Sequence, residues 1–172
     1  EPEVRYFTGF LTQFWQSPTR PWFLFIPVDK KPIAVIPEIG AALMRTTWID
    51  DIRTWGAPWP KDDGISLLQD LLEPLLKSGA RLGVMKGHET SLRMPLGDYE
   101  RLMSGLAGIE VVDATDILRN LRMVKSAAEI EKIAYICGIT SRTFARAGDI
   151  FHKGQSLAEA FRAFRIECLT QG

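Results

Sequence analysis

Two apolar runs, Trp22 to Pro27 and Pro32 to Pro37, lie four residues apart, separated only by Val28-Asp-Lys-Lys31. Each run is bounded by proline and neither alternates with polar residues. Short apolar runs joined by a tight polar break form a β-hairpin, and unbroken hydrophobicity in a strand means that both of its faces are covered. A lone hairpin cannot supply that cover, so the rest of the chain must provide layers above and below it.

The flanking sequence has the alternation such layers need. Val4 to Leu11 reads as a strand ending at Gly9. A short helix is expected from Glu38 to Arg45, followed by a strand over Ile52 to Trp55. Gly56 to Gly64 is a loop by its Pro, Gly and Asp content. Asp63 is placed to cap a helix that carries Ile65, Leu68, Leu72 and Leu75 on one stripe, with Pro74 shortening or kinking it. A strand over Arg81 to Met85, a helix from Pro95 to Leu106, a strand over Ile109 to Val112 and a helix from Asp113 or Thr115 to Leu121 complete the series. Strands alternating with helices imply a layered α/β domain over residues 1–121, and the hairpin makes its sheet mixed rather than fully parallel. A chain that opens on Glu1-Pro2, inside a strand by this reading, is expected to lack an earlier strand and helix.

Beyond residue 121 the pattern becomes purely helical. Ser126-Ala-Ala-Glu129 and Ser156-Leu-Ala-Glu159 are capping boxes, each in front of an apolar stripe. The first stripe is Ile130, Ile133, Cys137 and Phe144; the second is Leu157, Phe161, Phe164 and Cys168. The segment from Gly148 to Gly154 joins the two helices. Two amphipathic helices cannot bury both stripes on each other, and each large side chain left in water forfeits roughly 1.5–3 kcal/mol. Residues 122–172 are therefore expected to begin a second domain.

Composition narrows the function. The 172 residues carry 21 basic and 21 acidic side chains, so no net positive field exists to attract nucleic acid or an anionic membrane. No apolar run is long enough to span a bilayer. Two cysteines, Cys137 and Cys168, are too few for a disulfide framework and read as reduced, buried-type residues of a cytoplasmic protein. There is no glycine-rich phosphate loop, no paired Cys-x-x-Cys and no His-Glu-x-x-His. His88 and His152 each stand alone, and Asp62-Asp63 is better explained as a helix cap than as a catalytic pair. The chain carries no catalytic residue and no metal ligand set.

One segment is unusual. Phe14-Trp-Gln-Ser-Pro-Thr-Arg20-Pro-Trp22 sets a guanidinium among large aromatics between two strands. It reads either as a domain face, with Trp15 and Trp22 shielding the hairpin and Arg20 stacked on a ring, or as a recognition edge. In the second case Arg20 offers a fork for a carboxylate while Phe14 and Trp15 exclude water around it.

Two further stretches carry a resemblance. Val4-Arg-Tyr-Phe-Thr-Gly-Phe10 is similar to the Tyr-x-Thr/Ser-Gly-Phe/Trp strand near the start of the N-terminal domain in the creatinase, aminopeptidase P and prolidase family. Leu121-Arg-Met-Val-Lys-Ser-Ala-Ala-Glu-Ile130 resembles the Arg-x-Val/Ile-Lys-Ser-x-x-Glu-Ile junction that opens the family's pita-bread catalytic domain. The resemblance implies a non-catalytic, creatinase-like N-terminal α/β domain at 1–121. It makes residues 122–172 the first two helices of a truncated catalytic domain, whose remainder is a partner of this chain. The implied parent is an Xaa-Pro peptidase-like metallohydrolase of aminopeptidase or dipeptidase type. Two divalent ions (Mn, Co or Zn) are expected in its catalytic domain, on ligands beyond Gly172. The N-terminal domain would contribute to a homodimer and to the neighbouring subunit's site for a peptide or small carboxylate substrate.

Arg20 to Ile26 is similar to the creatinase stretch in which an arginine before the second strand binds the substrate carboxylate; Phe14 or Trp15 would lie near the aromatic preceding it. Lys125 and Glu129 stand at i, i+4 in the junction motif, which also reads as plain helix initiation. Lys86 departs from the family pattern, which often has an acidic residue after that strand. Two other readings stay open: a creatinase-like amidinohydrolase domain working without metal, and a stand-alone dimerisation or binding domain.

Overall fold

The computed structural model describes residues 2–13 and 20–172. They fall into two compact units, residues 1–119 and 120–172.

In the first unit the hairpin forms as the sequence predicts. β1 (Phe23–Phe25) and β2 (Ile33–Pro37) pair antiparallel, with Phe23 opposite Val35 and Phe25 opposite Ile33. β3 (Asp51–Trp55) adds to β2 in parallel, Ile33 opposite Asp51 and Pro37 opposite Trp55. β4 (Arg81–Val84) and β5 (Glu110–Asp113) form a parallel pair. The sheet structure is mixed, as expected.

All five residues of β2 are buried, and strand periodicity divides them between two cores. Ile33 and Val35, with Phe23 and Phe25 partly buried beside them, face α3 (Ile65–Leu72) and α4 (Leu96–Gly105) through Ile65, Leu68, Leu71, Leu72, Leu102 and Leu106. Ala34 and Ile36 face the other way, onto Phe10, Trp22, Met44 and Ile49, with Val4 and Leu24 packed against them. Met44 closes α2 (Ala41–Met44), which continues a 3-10 turn over Glu38–Gly40. Helices thus cover both faces, the arrangement that an unbroken apolar strand demands.

Two sequence expectations in this unit are overturned. Residues 4–11 are not a strand: α1 spans Pro2–Thr8. Proline suits a first turn, and Gly9, at φ +74°, ends the helix in the left-handed conformation, its N–H donating to the Arg5 carbonyl at 2.8 Å. Local capping outweighs the β-favouring Val-Arg-Tyr-Phe pattern. Asp63 is likewise not the cap of α3. Gly64 occupies that position with φ +85°. Asp62 accepts from the Ser66 amide and hydroxyl at 3.1 and 2.7 Å, while Asp63 accepts from the Trp59 amide. The left-handed turn at Gly64 directs the nearer carboxylate away from the helix. α3 ends at Leu72, two residues short of Pro74.

α5 spans Thr115–Met123. In the second unit α6 (Ala127–Ala145), the single turn α7 (Ala147–Ile150) and α8 (Leu157–Gln171) form a helical hairpin. Both capping boxes are present: Ser126 and Ser156 each accept from the amide three residues on at 3.3 Å, and Glu129 and Glu159 each accept from the opening amide at 2.8 Å. These bonds hold both glutamates below their ordinary pKa, the Ser126 backbone amide leading for Glu129 and the Ser156 hydroxyl for Glu159. The helices are clasped by Arg146 to Glu167 at 2.7 Å, and Phe164 lies 5.0 Å from Phe144 and 6.1 Å from Phe151 between ring centres.

Most of the apolar stripes stay in water. Ile130, Ile133, Phe144, Leu157 and Phe161 are exposed, and no residue of α8 is fully buried. The two cysteines are free thiols, but Cys137 is exposed and Cys168 half-buried. The buried-type reading fails for Cys137 because it shares the uncovered face of α6.

Candidate functional site

Arg20 sits where the chain enters β1. Its side chain is half-buried and makes no hydrogen bond, ion pair or ring contact with the other described residues. The stacked-arginine reading therefore finds no support among them. Phe14 and Trp15, the other two candidates, lie outside the described residues. What the structure does place is the framework behind Arg20. Pro21 is fully buried, and Trp22 is buried to 8% exposure against Phe10, their ring centres 5.2 Å apart and tilted by 36°.

Phe10 arrives there through the same turn that ends α1. Thr8 Oγ1 donates to the Val4 carbonyl at 2.6 Å and accepts from the Phe10 amide at 2.9 Å. With Gly9 left-handed, the chain reverses and drives Phe10 into the core. The Trp48 indole N–H donates to the Phe7 carbonyl at 2.8 Å and satisfies another open end of the helix. The Tyr-Phe-Thr-Gly-Phe stretch is thus a cap whose product is the wall supporting Trp22. Against the outer edge of the ring stands Gly40, so close that a side chain there would overlap the indole. Nothing in the local sequence signals this contact, which joins residues remote along the chain.

Several other polar groups have structural partners. Lys86, where the family pattern is often acidic, donates to the Val111 carbonyl at 2.9 Å. Its charge lies beside Asp113, whose carboxyl is held below its ordinary pKa first by the Thr115 hydroxyl and amide and then by Lys86. Thr115 also accepts from the Gly87 amide at 2.9 Å, tying the loop after β4 to the start of α5. Arg101 reaches the carbonyls of Lys61 and Asp62 at 2.8 and 3.1 Å and the Asp62 carboxylate at 2.9 Å, so it staples the loop before α3 to α4. Lys125 donates to the Met123 carbonyl at 3.1 Å, a helix-entry contact.

His88 and His152 are exposed, and the Arg119 guanidinium donates to the His88 backbone carbonyl rather than to its ring. No three of His, Cys, Asp and Glu converge on a point among the described residues, so these residues do not fit a metal centre. Arg20 thus presents a half-buried guanidinium with no partner among the described residues.

Residues 1–124 match the model of the Creatinase/Prolidase N-terminal domain. The chain belongs to that family. Solved structures agree in fold. The X-Pro aminopeptidase from Thermotoga maritima superposes with a TM-score of 0.75 at 19% identity, over 99% of this chain and 43% of that one. The prolidase from Thermococcus sibiricus gives 0.76 at 16% identity, over 96% and 42%. A proline dipeptidase structure from Streptococcus pneumoniae gives 0.56 at 18% identity, over 72% of this chain and 82% of that one. This chain therefore spans less than half the length of the first two. No curated protein sequence matches it. Together the family match and these structures show that the chain resembles the N-terminal domain of Xaa-Pro peptidases. No helix among the described residues is long and apolar enough to cross a membrane.

Proposed function

We propose that this chain is the N-terminal part of an Xaa-Pro peptidase-like metallohydrolase of prolidase or aminopeptidase P type. In this reading residues 1–121 form a non-catalytic domain that contributes to a homodimer and to the neighbouring subunit's substrate site. Residues 122–172 open the catalytic domain, and the metal pair is held further along the polypeptide.

The observation that carries the reading is the family match over 1–124 running directly into the capping box at Ser126. Within it, Arg20 binds the substrate carboxylate, with Phe14 and Trp15 as flanking groups. A half-buried guanidinium with no partner among the described residues retains its donors for a ligand. The buried Pro21 and Trp22 fix the backbone from which it extends.

The test is Arg20→Ala in the complete enzyme, assayed with an Ala-Pro dipeptide and with its C-terminal amide. Loss of a charge-assisted pair costs about 1.5–3 kcal/mol, roughly a tenfold to hundredfold rise in KM for the free acid. The amide should be nearly unaffected. Equal kcat/KM for wild type and variant on both substrates refutes the role of Arg20. A complete enzyme that binds no divalent metal would instead support a creatinase-like reaction.

A further inference from the structure

We infer that Gly40 is a positioning residue for Arg20, which rests on the carboxylate-binding reading above. Gly40 has φ −93° and ψ −6°, a conformation that any residue adopts, so the backbone does not require glycine there. Space does. A Cβ on Gly40 would fall on Cη2 and Cζ3 of Trp22, the outer edge of the indole, with Cζ2 at 3.5 Å. The turn that begins at Glu38 is therefore a stop against the outer edge of the Trp22 ring, whose centre lies 5.2 Å from that of Phe10.

The stop bears on Arg20 through a short, stiff path. Only Pro21 separates Arg20 from Trp22, and proline has one soft backbone dihedral fewer than other residues. Pro21 is itself fully buried, so it has no room to absorb a shift. A displacement of Trp22 is thus passed to the Arg20 backbone. This brace sets the point from which the Arg20 side chain extends. Glycine at 40 gives the large ring a fixed depth, and the fixed depth gives the arginine a fixed origin.

The experiment uses the complete enzyme with the Ala-Pro dipeptide and its amide. Gly40→Ala is expected to raise KM for the free acid about threefold to tenfold, the scale of a sub-ångström to ångström misplacement, with kcat within about twofold and the amide unchanged. Phenylalanine lacks the outer edge of the indole, so Trp22→Phe added to Gly40→Ala makes room for the new methyl and should bring KM back towards the wild-type value. A loss of folded protein alone would lower the apparent kcat for both substrates alike and leave KM for the free acid unchanged. Should Gly40→Ala fail to accumulate as folded protein, Trp22→Phe alone removes the edge that meets the stop and should show the same KM split.

An unchanged KM for the free acid in a folded Gly40→Ala enzyme overturns the inference, as does a failure of Trp22→Phe to rescue it. If Arg20→Ala leaves KM unchanged, the carboxylate reading itself falls. If Arg20→Ala raises KM selectively while Gly40→Ala does not, only the positioning role falls.

Discussion

The contact between Gly64 and Trp55 gives a stability prediction whose parts can be separated. Gly64 has φ +85°, and a Cβ there would stand 2.5 Å from Cε3 and 2.7 Å from Cδ2 and Cζ3 of Trp55. The Trp55 Nε1 is buried with no hydrogen-bond partner among the described residues, so packing alone holds that ring against the turn. Gly64→Ala therefore incurs two costs. A left-handed non-glycine residue costs about 1–2 kcal/mol, and forcing extra volume into a packed contact costs about 1–3 kcal/mol. Against them, a less flexible unfolded chain returns about 0.4–1 kcal/mol. The net loss is roughly 1–5 kcal/mol.

Two other glycines isolate the terms. Gly9 is left-handed at φ +74° with open space around its missing Cβ, so Gly9→Ala should lose only about 1 kcal/mol. Gly56 has neither a positive φ nor a neighbour, and Gly56→Ala should leave stability unchanged or raise it by up to about 1 kcal/mol. Urea unfolding of the 172-residue chain at neutral pH measures all three. The expected order of midpoints is Gly56→Ala, wild type, Gly9→Ala, Gly64→Ala. A Gly64→Ala loss no larger than that of Gly9→Ala would show that the Trp55 ring yields freely, and the packing argument would fail.

Two further outcomes follow from charge and burial. Asp62 feels partial burial most strongly, which works to raise its pKa, but the Ser66 hydroxyl and amide and the Arg101 charge together bring it below the ordinary value; Asp113, Glu129 and Glu159 are lowered as well. Groups with depressed folded pKa values contribute stability that is complete above their unfolded values, near pH 4, and is lost as pH falls through the folded ones. Urea midpoints should therefore be level from about pH 7 to 5 and fall between about pH 4 and 2; a midpoint that is unchanged at pH 3 contradicts this. Native-state hydrogen exchange should find α8, with no buried residue, opening at lower free energy than β2, with all five buried. Equal protection of the two would refute the link between burial and local stability here.

The sequence was legible wherever one physical signal acted alone. The β1–β2 hairpin is two apolar runs and a polar break, and β2 is buried on both faces as such a run requires. The capping boxes at Ser126 and Ser156 are complete within four residues, so no distant contact could overrule them. Legibility failed where signals competed or where the decisive contact was remote. Val4 to Phe7 has strand-forming residues, yet Pro2, the back-bonding Thr8 and Gly9 close a helix around them. Asp62 and Asp63 are chemically identical caps in sequence, and only the left-handed turn at Gly64 selects between them. Nothing near Trp22 in sequence announces that Gly40 meets the edge of its ring.

Those failures bear on the candidate site, because they show what the N-terminal motif does physically. Read as a strand, Tyr6-Phe-Thr-Gly-Phe10 is only a marker of family. As the end of a helix it is a device: Thr8 and Gly9 turn the chain so that Phe10 enters the core against Trp22. Trp22 packs on Phe10 and meets Gly40 at its outer edge, and the backbone entering β1 is fixed just after Arg20. The motif, the stop and the arginine are separate in sequence and contiguous in the fold. Through the buried Pro21, the same packing fixes the point from which the Arg20 side chain extends. Burial of the two rings stabilises the core by itself, so what ties this packing to Arg20 is the short path through Pro21, and a KM for the free acid that moves with Gly40→Ala is the sign that the path is used.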